Sequence, residues 1–169
     1  MDRRDFLHRA ALMVAGTTAL PALARAATGA ATGAATGAAT GAPAPLPPMT
    51  VYHSPSCGCC KEWIKHVQKA GFTVRPVLLE DLAEIKASAG VPRAFESCHT
   101  AMVRGIVVEG HVPSDLIIKA LEAPKGSIVG LAVPGMPQGS PGMEQGMGKE
   151  PYDVMAWDAK GQRRVYARR

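Results

Sequence analysis

The sequence predicts an α/β fold with a central mixed sheet flanked by helices. Three observations carry this. Short β-branched and aromatic runs recur as strands should, beginning with "MTVYH" at Met49–His53. Between them, apolar residues fall at the 3/4 spacing of amphipathic helices. Glycines and prolines punctuate the chain where such elements would start and stop.

After the first strand, Pro55-Ser56 breaks the extended run and three cysteines follow, Cys57, Cys59 and Cys60, within "SPSCGCCKEW". From Cys60, apolar positions at Trp63, Ile64, Val67 and Ala70 mark one helix face, and Gly71 supplies the stop. "FTVRPVLL" (72–79) reads as a second strand. A shorter helix is expected over 81–88, ended by Gly90, with Glu80-Asp81 at its start, where negative charge is favourable. "TAMVRGIVVEG" predicts a hairpin turning at Arg104-Gly105, with strands over 100–103 and 106–108. Pro113 suits a first helical position, and "SDLIIKALE" continues that helix with Leu116, Ile117, Ala120 and Leu121 inward. Beyond Ile128 a long Gly/Pro/Met loop is expected, then two strands over 152–157 and 163–167 around a turn at 159–161. Trp63 and Trp157 read as core. Strand, cysteines, helix, strand, helix, hairpin, helix is the order of a thioredoxin-like fold.

The N-terminus reads differently. Residues 1–26 have a charged start, an apolar stretch over 10–23 and a small-x-small end at Ala24-Arg25-Ala26, as a cleaved export signal should. The stretch is too short and too weakly apolar to span a membrane, so no stable insertion is expected after cleavage. Arg3-Arg4 followed by Phe6-Leu7 resembles a twin-arginine signal, which implies a periplasmic destination. Residues 27–48 repeat A-A-T-G and then run into "APAPLPP"; without large apolar side chains they predict a disordered linker. The folded part is thus residues 49–169, long enough for a core that needs no disulfide.

Charge excludes one class of partner. The formal net charge is +5, and the signal carries Arg3, Arg4, Arg9 and Arg25 against Asp2 and Asp5, so the mature chain stands at +3. No dense basic face remains apart from the tail arginines, which argues against nucleic acid.

The chemistry lies in the sulfur. Three thiols this close cannot all pair with one another, and at a helix N-terminus the dipole favours thiolates. Crowded thiolates are soft donors for Cu(I) or Zn(II), or partners in redox exchange. Cys98-His99 offers a thiolate and an imidazole from a second segment, and His111, at a strand-to-helix turn, stands where side chains point into a site. Met136, Met143 and Met147 punctuate the glycine-rich loop, and thioether sulfur favours Cu(I) without deprotonation. His53, ending a strand, and His66, on the polar side of the first helix, read as incidental.

Four strings in order, "CGCC", "SCHTA", "VEGHVP" and "VPGMPQGSPGME", resemble the CopG-like bacterial copper-resistance proteins, an exported family long described as of unknown function. The likeness runs from about residue 50 to 166. It implies a thioredoxin-like, periplasmic, copper-binding domain with Cys57, Cys59, Cys60 and Cys98 as sulfur ligands. His99, His111, Met136 and Met143 lie within the shared motifs as further ligands. It also implies a role in copper redox handling, with other periplasmic copper-handling proteins as partners. On this footing the chain is expected to hold Cu(I), in a thiolate-bridged multinuclear cluster, and to interconvert Cu(I) and Cu(II); copper is favoured over zinc. Two other readings use the same residues: a thiol-disulfide oxidoreductase with Cys57 as nucleophile and Cys60 as resolving thiol, and a structural zinc module closed by Cys57, Cys60, Cys98 and His99.

Overall fold

A computed structural model describes residues 45–144 and 148–169. The expected export signal over 1–26, the expected linker as far as residue 44 and Met147 lie outside the described residues.

Seven strands form one mixed sheet in the order β2-β1-β3-β4-β5-β6-β7. They are β1 (Met49–His53), β2 (Val74–Leu78), β3 (His99–Val103), β4 (Ile106–Glu109), β5 (Gly130–Ala132), β6 (Asp153–Trp157) and β7 (Arg163–Arg168). β1 runs parallel to β2, and β4 parallel to β5; the other neighbours are antiparallel. Among the described residues three α-helices accompany them: α1 (Gly58–Lys69), α2 (Ala83–Ser88) and α3 (Ser114–Leu121). The first four strands stand in the order β2-β1-β3-β4, with β3 antiparallel to both neighbours, as a thioredoxin-like layout requires. β5, β6 and β7 extend the sheet beyond it.

The main core lies on one face. α1 turns Cys60, Trp63, Ile64 and Val67 inward, and α3 turns Leu116, Ile117 and Ala120. Apart from Cys60, these pack with Met49, Val51, Ala101, Val103 and Val108, the alternate residues of β1, β3 and β4. Trp63 is fully buried, and its indole N–H donates to Val112 O at 2.9 Å, so its one polar atom is satisfied. The opposite face carries a smaller cluster of Phe95, Ala132 and Trp157.

Most expected elements are present, with differences at their edges. The hairpin turns at Arg104 (φ 45°) and Gly105 (φ 77°), and positive φ at both central residues matches strand twist. α2 begins two residues late: Asp81 stays outside it, and its carboxylate accepts the Ala83 N–H at 2.8 Å. Pro113 is the N-cap of α3 rather than its first residue, with ψ 137°; lacking an N–H, it leaves nothing unsatisfied there. The expected loop after Ile128 contains β5, only three residues long, too short to carry any periodicity. Gly130 opens β5 because a Cβ there would stand 2.0 Å from the Trp157 ring.

Candidate metal centre

Cys57 is the N-cap of α1, in extended conformation, and its Sγ accepts the Cys60 N–H at 3.3 Å. The turn before it is held by Cys57 N–H to Ser54 O at 3.1 Å and by paired Ser54 and Ser56 hydroxyls. No acidic residue occupies the first turn of α1, so nothing offsets its favourable field for thiolates. Cys57 and Cys60 are joined by a disulfide, while Cys59 and Cys98 are free thiols. Cys57 is half-buried and Cys60 fully so. The Cys59 Sγ lies 3.5 Å from that of Cys57.

The second segment arrives by sheet pairing. His99 pairs with His53 across β1 and β3, which sets Cys98, just before β3, beside the end of α1. Its backbone carbonyl lies 3.8 Å from the Cys60 Sγ. The Sγ atoms of Cys57, Cys59, Cys60 and Cys98 all fall within 4.8 Å of one another. Two electrons must reduce the disulfide before all four can act as thiolate donors.

A second group shares Cys98. Its Sγ lies 3.3 Å from His99 Nδ1 and 3.0 Å from His111 Nε2, and these three donors also converge within 4.8 Å. Both histidines are fully buried. His111 Nδ1–H donates to Pro141 O at 2.7 Å, which commits that nitrogen and leaves the Nε2 lone pair facing Cys98. The His99 ring packs at a tilt against Trp63 with ring centroids 4.3 Å apart, and its Nε2 has no hydrogen-bond partner among the described residues. Burial holds both imidazoles below their ordinary pKa, and for His99 the neighbouring His111 adds to this. Both are therefore neutral donors at neutral pH. Burial, and after it Cys59, pushes the Cys98 thiol up to about 12. A proton thus occupies the sulfur unless a cation replaces it.

The glycine-rich loop closes against this centre. Ser97 Oγ–H donates to Gly135 O, and Pro141 O accepts the hydrogen bond from His111 Nδ1–H. Gly142 (φ 87°) lies flat on the first turns of α1, where a Cβ would stand 2.9 Å from Cys59 O and 2.8 Å from Trp63 N. Met143 is half-buried beside it, whereas Met136 is 52% exposed.

Other residues fall differently from expectation. His66 is half-buried, not on a solvated face; its Nε2 accepts the Ser114 N–H at 3.1 Å and so caps α3, because α3 crosses that side of α1. His53 is buried, with Nδ1–H donating to Ser54 O at 2.8 Å. His99 groups with Cys98 and His111 rather than with Cys57 and Cys60, so the set expected for a zinc module does not form among the described residues. The reason is the direction of β3, which turns the His99 ring toward Trp63.

Sequence reasoning missed a buried network behind Cys98. Glu109 accepts from Lys86 Nζ, from Ser97 N–H at 2.6 Å and from Thr100 Oγ–H at 2.7 Å. Burial raises the Glu109 pKa, against the pull of Lys86. The available signal was an acid closing the apolar run "IVVE" of β4.

Comparison with known proteins bears on this geometry. Two solved structures, "Copper resistance protein copG- Form 2" and "Copper resistance protein copG- Form 1", match with TM-scores of 0.70 and 0.69. Each is 43% identical, over 73% of this chain and 98% of its own. The chain belongs to the CopG copper-resistance family. A family model described as "Protein of unknown function, DUF411" matches residues 95–143. That segment contains Cys98, His99, His111, Met136 and Met143 but none of the α1 cysteines. No curated protein matches. Among the described residues, no helix is long and apolar enough to cross a membrane.

Proposed function

We propose that this protein is a periplasmic copper-binding protein of copper resistance that holds Cu(I) on Cys57, Cys59, Cys60 and Cys98. His99 and His111 serve as further donors at Cys98, and Met143 and Met136 as thioether donors from the loop. The observation that carries the reading is the convergence of four sulfurs within 4.8 Å from segments about forty residues apart. Soft thiolate and thioether ligands select Cu(I), and bridging sulfur lets such a site hold more than one ion. Neutral, buried imidazoles beside Cys98 are acceptable to both Cu(I) and Cu(II), which suits a centre that exchanges the two. The balanced step is oxidation of the Cys57 and Cys60 thiolates to their disulfide, the two electrons reducing two Cu(II) to two Cu(I). In that oxidised form Cys59, Cys98 and the imidazoles are the donors left, and reduction of the disulfide restores the four-sulfur site. The names of the two solved relatives support copper as the cargo. Residues 1–26 carry the export reading.

The test is an anaerobic Cu(I) titration of the fully reduced chain against a chromophoric chelator. At least one equivalent is expected to bind tightly, and a Cys57→Ser/Cys60→Ser variant to bind far more weakly. Less than one equivalent, or unchanged affinity in the variant, overturns the reading.

A second reading is favoured by the disulfide itself. Cys57 is half-buried at a helix N-terminus with its partner Cys60 enclosed, as thiol-disulfide exchange requires. It predicts rapid reduction of a model disulfide that survives Cys59→Ser; loss of that activity on removing Cys59 argues for copper instead.

A further inference from the structure

α2 is only six residues long, and its one buried side chain is a lysine. So short a helix has no apolar stripe with which to dock. Its inward anchor is Lys86 Nζ, which donates to Glu109 Oε1 and, at 3.2 Å, to Thr100 Oγ. Glu109 is fully buried, and both its oxygens are used: Oε1 by Lys86 and the Ser97 N–H, Oε2 by the Thr100 hydroxyl. A buried ion pair is weak evidence for stability, since apolar pairs of similar volume often serve as well or better. What this one touches is more telling. Ser97 immediately precedes Cys98, and Thr100 immediately follows His99. Thr100 and Glu109 are cross-strand partners on one face of the sheet, whereas His99 faces α1 and Trp63 on the other. The network therefore grips both ends of the Cys98-His99 step from behind, while the donors point forward.

We propose that Glu109, neutralised by Lys86, is a positioning residue that presents Cys98 to the three sulfurs at α1. The purpose of that placement rests on the copper reading above; the placement itself does not.

The test begins without metal. In a Cys57→Ser/Cys60→Ser chain, Cys59 and Cys98 are the remaining cysteines, with Sγ atoms within 4.8 Å in the parent. The fraction of Cys59–Cys98 disulfide in a glutathione buffer then reports their effective concentration. In that background Lys86→Met/Glu109→Met replaces the ion pair with apolar volume. The double variant is expected to stay folded while the effective concentration drops roughly ten-fold or more, since small misplacements are costly to proximity. Glu84→Gln, an exposed change on the same helix, leaves it unaltered. A folded double variant with the parental value overturns the proposal. Should that variant not fold, Thr100→Val removes one arm of the network at similar volume; a parental value there overturns the proposal equally. A Cu(I) titration of the same substitutions in the four-cysteine chain completes the test. Affinity falls with them, and falls no further when they are added to Cys98→Ser. A parent chain that binds no copper defeats the copper reading but leaves the thiol result standing.

Discussion

The donors come from two regions built in different ways. Cys57, Cys59 and Cys60 occupy one turn of chain, placed by the N-cap of α1 and by the break at Pro55-Ser56. Cys98, His99 and His111 are placed by β1–β3 and β3–β4 pairing, by the Glu109 network behind them and by a carbonyl of the glycine-rich loop. The first region needs only local geometry. The second exists only when the sheet has formed. Damage to the sheet should therefore remove Cys98 and the imidazoles while leaving the helix-end cysteines able to bind thiophilic cations weakly.

Trp63→Ala strikes the contact between the two regions, because the Trp63 ring on α1 packs at a tilt against His99 and donates its indole N–H to Val112 O. A loss of about 3–5 kcal/mol is expected on removing so buried an aromatic. Urea unfolding checks this, and a loss below about 1 kcal/mol would mean that the two regions do not depend on that contact.

Removing Cys57 and Cys60 together should weaken Cu(I) beyond the roughly 10–100-fold typical of outer-shell changes. Cys98→Ser should also weaken it, because the sulfur belongs to both donor groups. Competition titration measures both. Equal affinity of Cys98→Ser and parent would detach the sheet-borne region from the centre.

His111→Ala is expected to lower affinity by roughly ten-fold and to free the loop from its Pro141 anchor. Faster amide hydrogen exchange over residues 135–143 in the variant checks the second effect. Unchanged exchange would show that the loop is seated by Gly142 packing alone.

The smallest effect concerns pH. Burial lowers the pKa of His66, which accepts the Ser114 N–H in its neutral form. The unfolded chain, with His66 near 6.5, then binds more protons than the folded one. The stability His66 contributes is present above about pH 6.5 and is lost as pH falls through the folded value. His66→Gln should flatten this part of the profile in urea midpoints measured from roughly pH 7.5 down to 5. A steeper dependence in the variant would contradict the assignment.

How much was legible follows the same division. α1, its apolar face and its three cysteines were readable because helix spacing and the N-cap act within a few residues. The β3–β4 hairpin was readable from Arg104-Gly105. β5 was not, since three residues carry no period and Gly130 is dictated by Trp157, far along the chain. His66 was misjudged because its partner, Ser114, lies on another helix. The Lys86–Glu109 pair escaped notice because lysine and glutamate normally mark exposed surface, and only tertiary contact reveals otherwise. The Cys98-His99-His111 group was suspected residue by residue, but its common geometry depends on pairing register.

The most direct measurement is copper K-edge X-ray absorption on the reduced, Cu(I)-loaded protein, compared between the parent and Cys98→Ser. A first shell dominated by sulfur, losing sulfur when Cys98 is replaced, is the expected result. A shell of nitrogen and oxygen alone, or identical spectra for the two proteins, would show that the sulfurs from the two regions do not share the cargo.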